Sequence, residues 1–348
     1  MTTAGTKQAS ITIGGTTVEP GERAVIDLPV ADLYTHTSLH MPVQVINGRR
    51  PGPTLFVSAA IHGDELNGVE IIRRLLQQKI VSQLRGCLIA VPVVNVHGFL
   101  DQSRYLPDRR DLNRSFPGSA KGSVAARLAH KFSEQILQAA DYGIDMHTGA
   151  VHRSNLPQIR ANLDDPETLR MAEAFNVPVM LNAALRDGSL RGHAGELGVP
   201  TLLYEAGEAL RFDEVGIRAG LRGVTSVMRE LGMLPRKKQS VSKTEPLIAK
   251  SSTWVRAPLS GVVRMRARLG QRVKKDDVLA AISDPFGETE TVLYASFAGI
   301  VIGRSNLPLA HEGDALFHIA RFDSVSRAEG SVEEFRTELH PDTAPVQR

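Results

Sequence analysis

Four short apolar runs constrain this chain most: TLFVSAAI at 54–61, CLIAVPVVN at 87–95, YGIDMH at 142–147 and TLLYEAG at 201–207. Each is shorter than an ordinary helix, and near-continuous apolar character marks strands covered on both faces. Helical spacing fills the gaps between them. Glu65 to Gln78 places Leu66, Val69, Ile72, Leu75 and Leu76 on one face, and 123–140, 167–176 and 213–231 read as further helices. Strands alternating with helices predict an α/β fold with a mainly parallel or mixed sheet covered on both sides. Active sites in such sheets gather at the strand ends.

The grammar changes along the chain. Residues 1–50 form a β-rich segment, broken by Gly and Pro, that joins a catalytic domain expected over 51–235. A polar run at 234–246, carrying Arg236, Lys237 and Lys238, reads as a boundary. Beyond it, two related halves repeat a small residue and Gly before a Val/Ile strand, a polar turn and another apolar strand. No helical stretch interrupts them, so 245–322 is expected to be a small all-β domain. Residues 323–348, rich in Glu, Ser and Pro, read as a C-terminal surface extension.

Composition removes several classes of function. Hydrophobic residues make up 42% of the chain, and 41 Lys plus Arg against 38 Asp plus Glu leave a net charge of +3. Neither disorder nor a basic nucleic-acid surface fits that balance. The single cysteine, Cys87, excludes an intrachain disulfide and a multi-cysteine metal site. No secretory signal pattern and no run approaching a membrane span is present, so a soluble, cytoplasmic protein is expected.

The chemistry concentrates in A-I-H-G-D-E, where His62 and Glu65 flank a strand exit and a helix start. At that junction an imidazole and a carboxylate three residues apart can converge on one point. D-M-H-T-G supplies His147 at another strand end, with Asp145 two residues earlier to orient its ring. Two histidines and a carboxylate leave a zinc ion an open fourth position for water, the arrangement of a hydrolytic site. HxxE alone is a weak signal, and a strand-end His is often a satisfied core residue. Gly63, Gly68 and Gly149 strengthen the case by permitting close approach, whereas His97 and His193 are competing ligands in less constrained loops.

Glu205 ends an apolar strand, where an unpartnered charge is costly. It reads as the general base that deprotonates the attacking water, against the bland reading of a salt bridge to a core arginine. The segment RYLPDRRDLNRSFPG at 104–118 presents Arg104, Arg109, Arg110 and Arg114 with Asn113. Such guanidinium groups grip carboxylates or stabilise an oxyanion, whereas the bland reading is a solvated loop held by its own ion pairs.

Together H-G-D-E, D-L-N-R-S-F (111–116), D-M-H-T-G and Y-E-A-G resemble the succinylglutamate desuccinylase/aspartoacylase family, within the zinc carboxypeptidase-like superfamily. The resemblance covers roughly residues 50–232 with four ordered motifs. It implies a three-layer α/β/α domain, one zinc ion (Zn2+) per chain on His62, Glu65 and His147, and Glu205 as general base and acid. Asn113 and Arg114 match the pair that holds the substrate carboxylate. Arg104 matches the arginine that polarises the scissile carbonyl, and extra residues before Asn113 leave Arg109 as the alternative. The small β domain resembles a biotinyl/lipoyl-like barrel-sandwich, but its hairpin S-D-P-F-G-E-T at 283–289 has no lysine to modify. It is expected to shape the active-site mouth or to serve as a subunit contact in a homo-oligomer.

The implied function is zinc-dependent hydrolysis of the amide bond of a small N-acyl amino acid, with Arg153, Arg160 and Arg191 as candidates for the substrate end of the pocket. Two alternatives use the same residues differently: a zinc carboxypeptidase acting on short peptides, and a non-catalytic binding protein. Pairing of Glu205 with an arginine, turned from the metal ligands, would favour the last.

Overall fold

The computed structural model describes residues 8–236 and 247–339. The four apolar runs lie side by side as the parallel centre of one sheet, in the order Arg85–Val91, Arg50–Ala59, Tyr142–Gly149 and Thr201–Glu208. Ser38–Asn47 and Arg23–Asp32 continue it antiparallel on one side, and Arg153–Ala161 pairs antiparallel with Thr201–Glu208 on the other. The sheet is therefore mixed.

Alternation along each strand feeds two cores. Leu55, Val57 and Ala59 face the helices Asn67–Gln77, Pro166–Phe175 and Glu214–Glu230. Phe56, Ile89 and Val91 face the opposite way, against Phe132 of the helix Val124–Gln135 and Leu190 of the helix Leu190–Glu196. Leu55 and Phe56 are both fully buried, and each such side chain contributes about 1.5–3 kcal/mol. Two buried faces explain why these strands read as unbroken apolar runs.

The expected all-β region is present but is not a detached unit. Its strands Gly299–Ser305, Ala315–Arg321 and Ser251–Arg256 extend the central sheet, with Gly303 opposite Asn155 of Arg153–Ala161. A second, four-stranded sheet packs on them across a core of Val263, Leu279, Ile282, Val301, Phe317 and Ile319. Of the boundary expected at 234–246, residues 237–246 lie outside the described residues.

The reading of 323–348 as a surface extension needs correction up to Leu339. Val325–Leu339 is a helix that buries Ala328, Val332 and Phe335 against the sheet and the helix Glu214–Glu230. The Arg222 guanidinium lies 5.3 Å over the Phe335 ring and bonds Glu338 at 2.9 Å. Among the described residues, no helix is long and apolar enough to cross a membrane.

Candidate active site

Ala60, at φ 50°, turns the chain out of the sheet after Arg50–Ala59 and carries His62 to the strand end. A tight turn follows, closed by the Glu65 amide on the His62 carbonyl at 3.1 Å. Gly63 is required there, because a Cβ would lie 1.9 Å from the Gly98 carbonyl carbon. His147 arrives from Tyr142–Gly149, the adjacent parallel strand.

His62, Glu65 and His147 converge with ligand atoms all within 4.8 Å of one another, and each residue is at most 4% exposed. The Nδ1 atoms of His62 and His147 each lie 2.8 Å from a different Glu65 oxygen. The outer ring nitrogens are held as well: His62 Nε2 is 3.1 Å from Asp111 Oδ1, and His147 Nε2 is 2.8 Å from Asp145 Oδ2. Carboxylates there favour the proton on Nε2 and leave each Nδ1 lone pair aimed inward. This donor set fits zinc, which two imidazoles in their neutral form and a carboxylate would hold, and the two nitrogen–oxygen distances of 2.8 Å lie about half an ångström below the ~3.3 Å edge of a tetrahedron of such bonds.

The electrostatics are those of three groups sharing charge in a dry site. Burial opposes ionisation of Glu65, but the fields of His62 and His147 outweigh it and hold the carboxyl well below its usual range. Burial likewise disfavours charge on His147, yet Asp145 and Glu65 raise its pKa well above the usual value. His62 is raised too, with burial outweighed by Glu65 and Asp111.

Arg104 reaches this cluster. Its Nη1 donates to Glu65 Oε1 at 3.2 Å and its Nη2 to Asp111 Oδ2 at 3.1 Å. Arg109 does not reach it. The turn from Leu106 to Arg110 takes up the extra residues of this loop and leaves Arg109 exposed at φ 61°, without a side-chain partner among the described residues. Asn113 is buried, and its Oδ1 accepts from the Leu190 amide at 2.8 Å. Arg114 is exposed, with Nη1 donating to the Asn113 carbonyl.

Of the three remaining candidate arginines, Arg153 lies with its guanidinium 5.3 Å from the centre of the Trp254 ring, and the other two differ in kind. Arg191 donates to the Ala183 and Ala184 carbonyls at 2.9 Å each, so it fixes backbone rather than offering a free fork to substrate. Burial, together with Arg160 and Arg186, pushes its pKa down to about 10. It also lines a cavity of about 220 Å³ with Asn162 and Thr201, whose walls include none of the three cluster residues. Arg160 instead lies with its Nε 3.3 Å from Glu205 Oε1. Glu205 Oε2 accepts from Asn155 Nδ2. Glu205 is thus paired with an arginine while standing next to His147 in the strand register.

Three residues escaped the sequence reading. Asp111 heads the D-L-N-R motif, but its acid reads as one more loop charge until His62 is placed beside it. Asn155 and Gln158 belong to Arg153–Ala161, a strand that Pro157 and its polar residues conceal. His193 pairs with Glu196 on its own helix, and neither it nor His97 belongs to the cluster.

Residues 51–231, just over half of the chain, match the succinylglutamate desuccinylase/aspartoacylase catalytic domain. The N-alpha-acetyl-L-2,4-diaminobutyric acid deacetylase of Halomonas elongata is 30% identical over 164 residues. That alignment spans 45% of this chain and only 48% of the relative's own length. The product-bound ectoine utilization protein EutE (DoeB) from Ruegeria pomeroyi superposes with a TM-score of 0.77 at 27% identity, over 86% of this chain and 95% of that one. A succinylglutamate desuccinylase/aspartoacylase from Rhodobacter sphaeroides does so with a TM-score of 0.77 at 25% identity, over 86% and 96%. The matched segment contains the whole His62, Glu65 and His147 cluster, and the chain belongs to the succinylglutamate desuccinylase/aspartoacylase family.

Proposed function

We propose that this chain is a zinc-dependent deacylase that hydrolyses the amide bond of a small N-acyl amino acid. The observation that carries the reading is the convergence of His62, Glu65 and His147, with Asp111 and Asp145 bracing the two rings from behind. A zinc ion there supplies a Lewis acid and lowers the pKa of the attacking water. His62 and His147 through Nδ1, and Glu65 through its carboxylate, hold the ion. Glu205 takes the water proton on its carboxylate and returns it to the leaving amine nitrogen. The Arg104 guanidinium, beside Glu65, offers N–H donors to the oxyanion that forms as the carbonyl is attacked. Asn113 and Arg114 bind the α-carboxylate of the amino-acid half.

The Halomonas relative, named for removing an acetyl group from an amino acid, supports this substrate class. Hydrolysis of an N-acyl amino-acid panel by zinc-loaded protein tests it, and faster turnover of blocked di- and tripeptides would move the assignment to a carboxypeptidase. One observation favours the binding-protein reading, namely the pairing of Glu205 with Arg160. A folded, zinc-loaded protein inert towards every amide in the panel would favour that reading.

A further inference from the structure

The strand Arg153–Ala161 carries a bulge beside the reacting groups. Gln158 stands opposite Glu205 and Asn155 opposite Gly207, so Leu156 and Pro157 together face the single residue Ala206. In an unbroken ladder Asn155, three residues before Gln158, would project from the other face of the sheet. The extra residue turns it back to the face of Glu205, and re-aiming a side chain is what bulges beside active sites do. Pro157 suits that place because it has no N–H to give to a ladder. Asn155 arrives 6% exposed, with its Nδ2 donating to Glu205 Oε2. Gln158 is directly opposite Glu205 and fully buried, yet neither of its amide atoms has a hydrogen-bond partner among the described residues. The amide that holds the base is therefore the one the bulge delivers.

The seat of Asn155 comes from the C-terminal strands. Its row runs on through Gly303 and His318 to Trp254, each opposite the next on adjacent strands. Gly303 leaves a gap in that row, and the Asn155 carboxamide lies over it. A Cβ there would sit 2.9 Å from Asn155 Oδ1, 3.2 Å from His318 Cβ and 3.6 Å from Trp254 Cη2. Gly303 is not among the glycines of positive φ, so the position requires the missing side chain and not a special backbone. The far wall is firm, because the His318 and Trp254 rings stack 4.7 Å apart at 8°. Burial, with Arg160 adding to it, pushes His318 down to about 3, so this ring is neutral and brings no charge to the row.

We infer that Asn155 is a positioning residue for Glu205, and that the C-terminal strands enter the reaction by seating it over Gly303. The inference rests on the deacylase reading, in which Glu205 is the base. Arg160 Nε lies 3.3 Å from Glu205 Oε1, in a geometry that does not align as a hydrogen bond. That contact attracts the carboxylate without fixing its plane, whereas the Asn155 N–H is directional and fixes it. Asn155 is also neutral, so it orients Glu205 and leaves the negative charge free to attract a proton. A group that acts on the base alone, with no hold on metal or substrate, lowers kcat when removed and leaves KM and zinc affinity in place.

Steady-state kinetics of zinc-loaded variants test this, with circular dichroism and bound zinc verifying each fold. Asn155→Asp keeps the shape and replaces the donor by an acceptor. It and Asn155→Ala should each lower kcat about tenfold or more, with KM changed by less than about twofold. Gly303→Ala should lower kcat to a similar degree, because the added Cβ displaces the carboxamide from its seat. On the Asn155→Ala background the same glycine change should cost less than about twofold, since the group it displaces is gone. Wild-type kcat in Asn155→Asp, a loss confined to KM, or losses that multiply in the double variant would each overturn the inference. Nuclear magnetic resonance of protein labelled with 15N-asparagine reads the contact without turnover. The Asn155 side-chain amide signal, identified by its loss in Asn155→Asp, should shift in both Glu205→Gln and Gly303→Ala. A signal unmoved in either variant sinks the inference whatever the protein hydrolyses. A signal that moves in both, in a protein inert towards every N-acyl amino acid, supports the seat and refutes the deacylase reading.

Discussion

His147 can offer Nδ1 to a metal only while its Nε2 carries the proton, and Asp145 enforces that tautomer. The Asp145 side chain is 1% exposed, lies 2.8 Å from His147 Nε2 and accepts from Ser58 Oγ at 2.8 Å through its other oxygen. Asp145→Asn preserves the shape and removes the charge. Hydrogen bonds to a charged group are worth about 1.5–3 kcal/mol. Loss of such support behind a metal-ligating histidine weakens metal binding by roughly 10–100-fold, which is about 1.4–2.7 kcal/mol. Asp111 supports His62 less firmly, at 3.1 Å and with a side chain 16% exposed, so Asp111→Asn should lose no more than about tenfold. Competition for zinc against a chromophoric chelator, with circular dichroism to verify folding, gives both values. Wild-type zinc affinity in Asp145→Asn, or a larger loss in Asp111→Asn, would refute the tautomer argument.

Glu205→Gln should retain zinc and lose turnover, because the proposed role of Glu205 is to take the water proton and not to hold the metal; metal analysis beside an activity assay reads both, and equal zinc loss would show a ligand mistaken for a base. Arg104→Met should lower kcat at saturating zinc, raising the barrier by about 3 kcal/mol, whereas Arg109→Ala should leave it unchanged because that side chain is exposed on a turn; steady-state kinetics check the contrast. Phe335→Ala should cost about 3–5 kcal/mol of stability in denaturant unfolding, since the ring is fully buried under the central domain; a loss below about 1 kcal/mol would return that helix to a loose appendage. Glu70 is lowered from 4.5 to about 2 by hydrogen bonds from Arg73, with burial opposing, and from Arg74. Its stabilising contribution should therefore be complete above about pH 5 and vanish as pH falls from 4.5 toward 2; Glu70→Gln unfolding curves against pH would expose a contribution with the opposite trend.

What the sequence revealed follows from burial. Arg85–Val91, Tyr142–Gly149 and their neighbours were legible because helices cover both faces and demand apolar residues at every position. Arg153–Ala161 was not, because it carries the polar residues Asn155, Gln158 and Arg160 where it pairs with Thr201–Glu208 around Glu205. The C-terminal helix carries a signal that its composition masks: Ala328, Val332, Phe335 and Leu339 recur at helical spacing between Glu- and Ser-rich positions. The metal-site candidates His62, Glu65 and His147 were readable from residue type and strand-end position. Their partner Asp111 was not, since a loop 49 residues from His62 in sequence supplies it and only the fold sets that approach. The same holds for the Glu205–Arg160 pair, whose proximity depends on the antiparallel strand Arg153–Ala161, hidden by its polar residues.

The most direct test of the central claim is zinc stoichiometry, measured by mass spectrometry on mildly purified protein and on His147→Ala, with hydrolysis of N-acyl amino acids followed before and after chelation. The account predicts one zinc ion per chain, lost in His147→Ala, and activity that falls with chelation and returns with added zinc. Hydrolysis that persists in a folded, metal-free protein, or a His147→Ala variant that keeps its zinc, would contradict it.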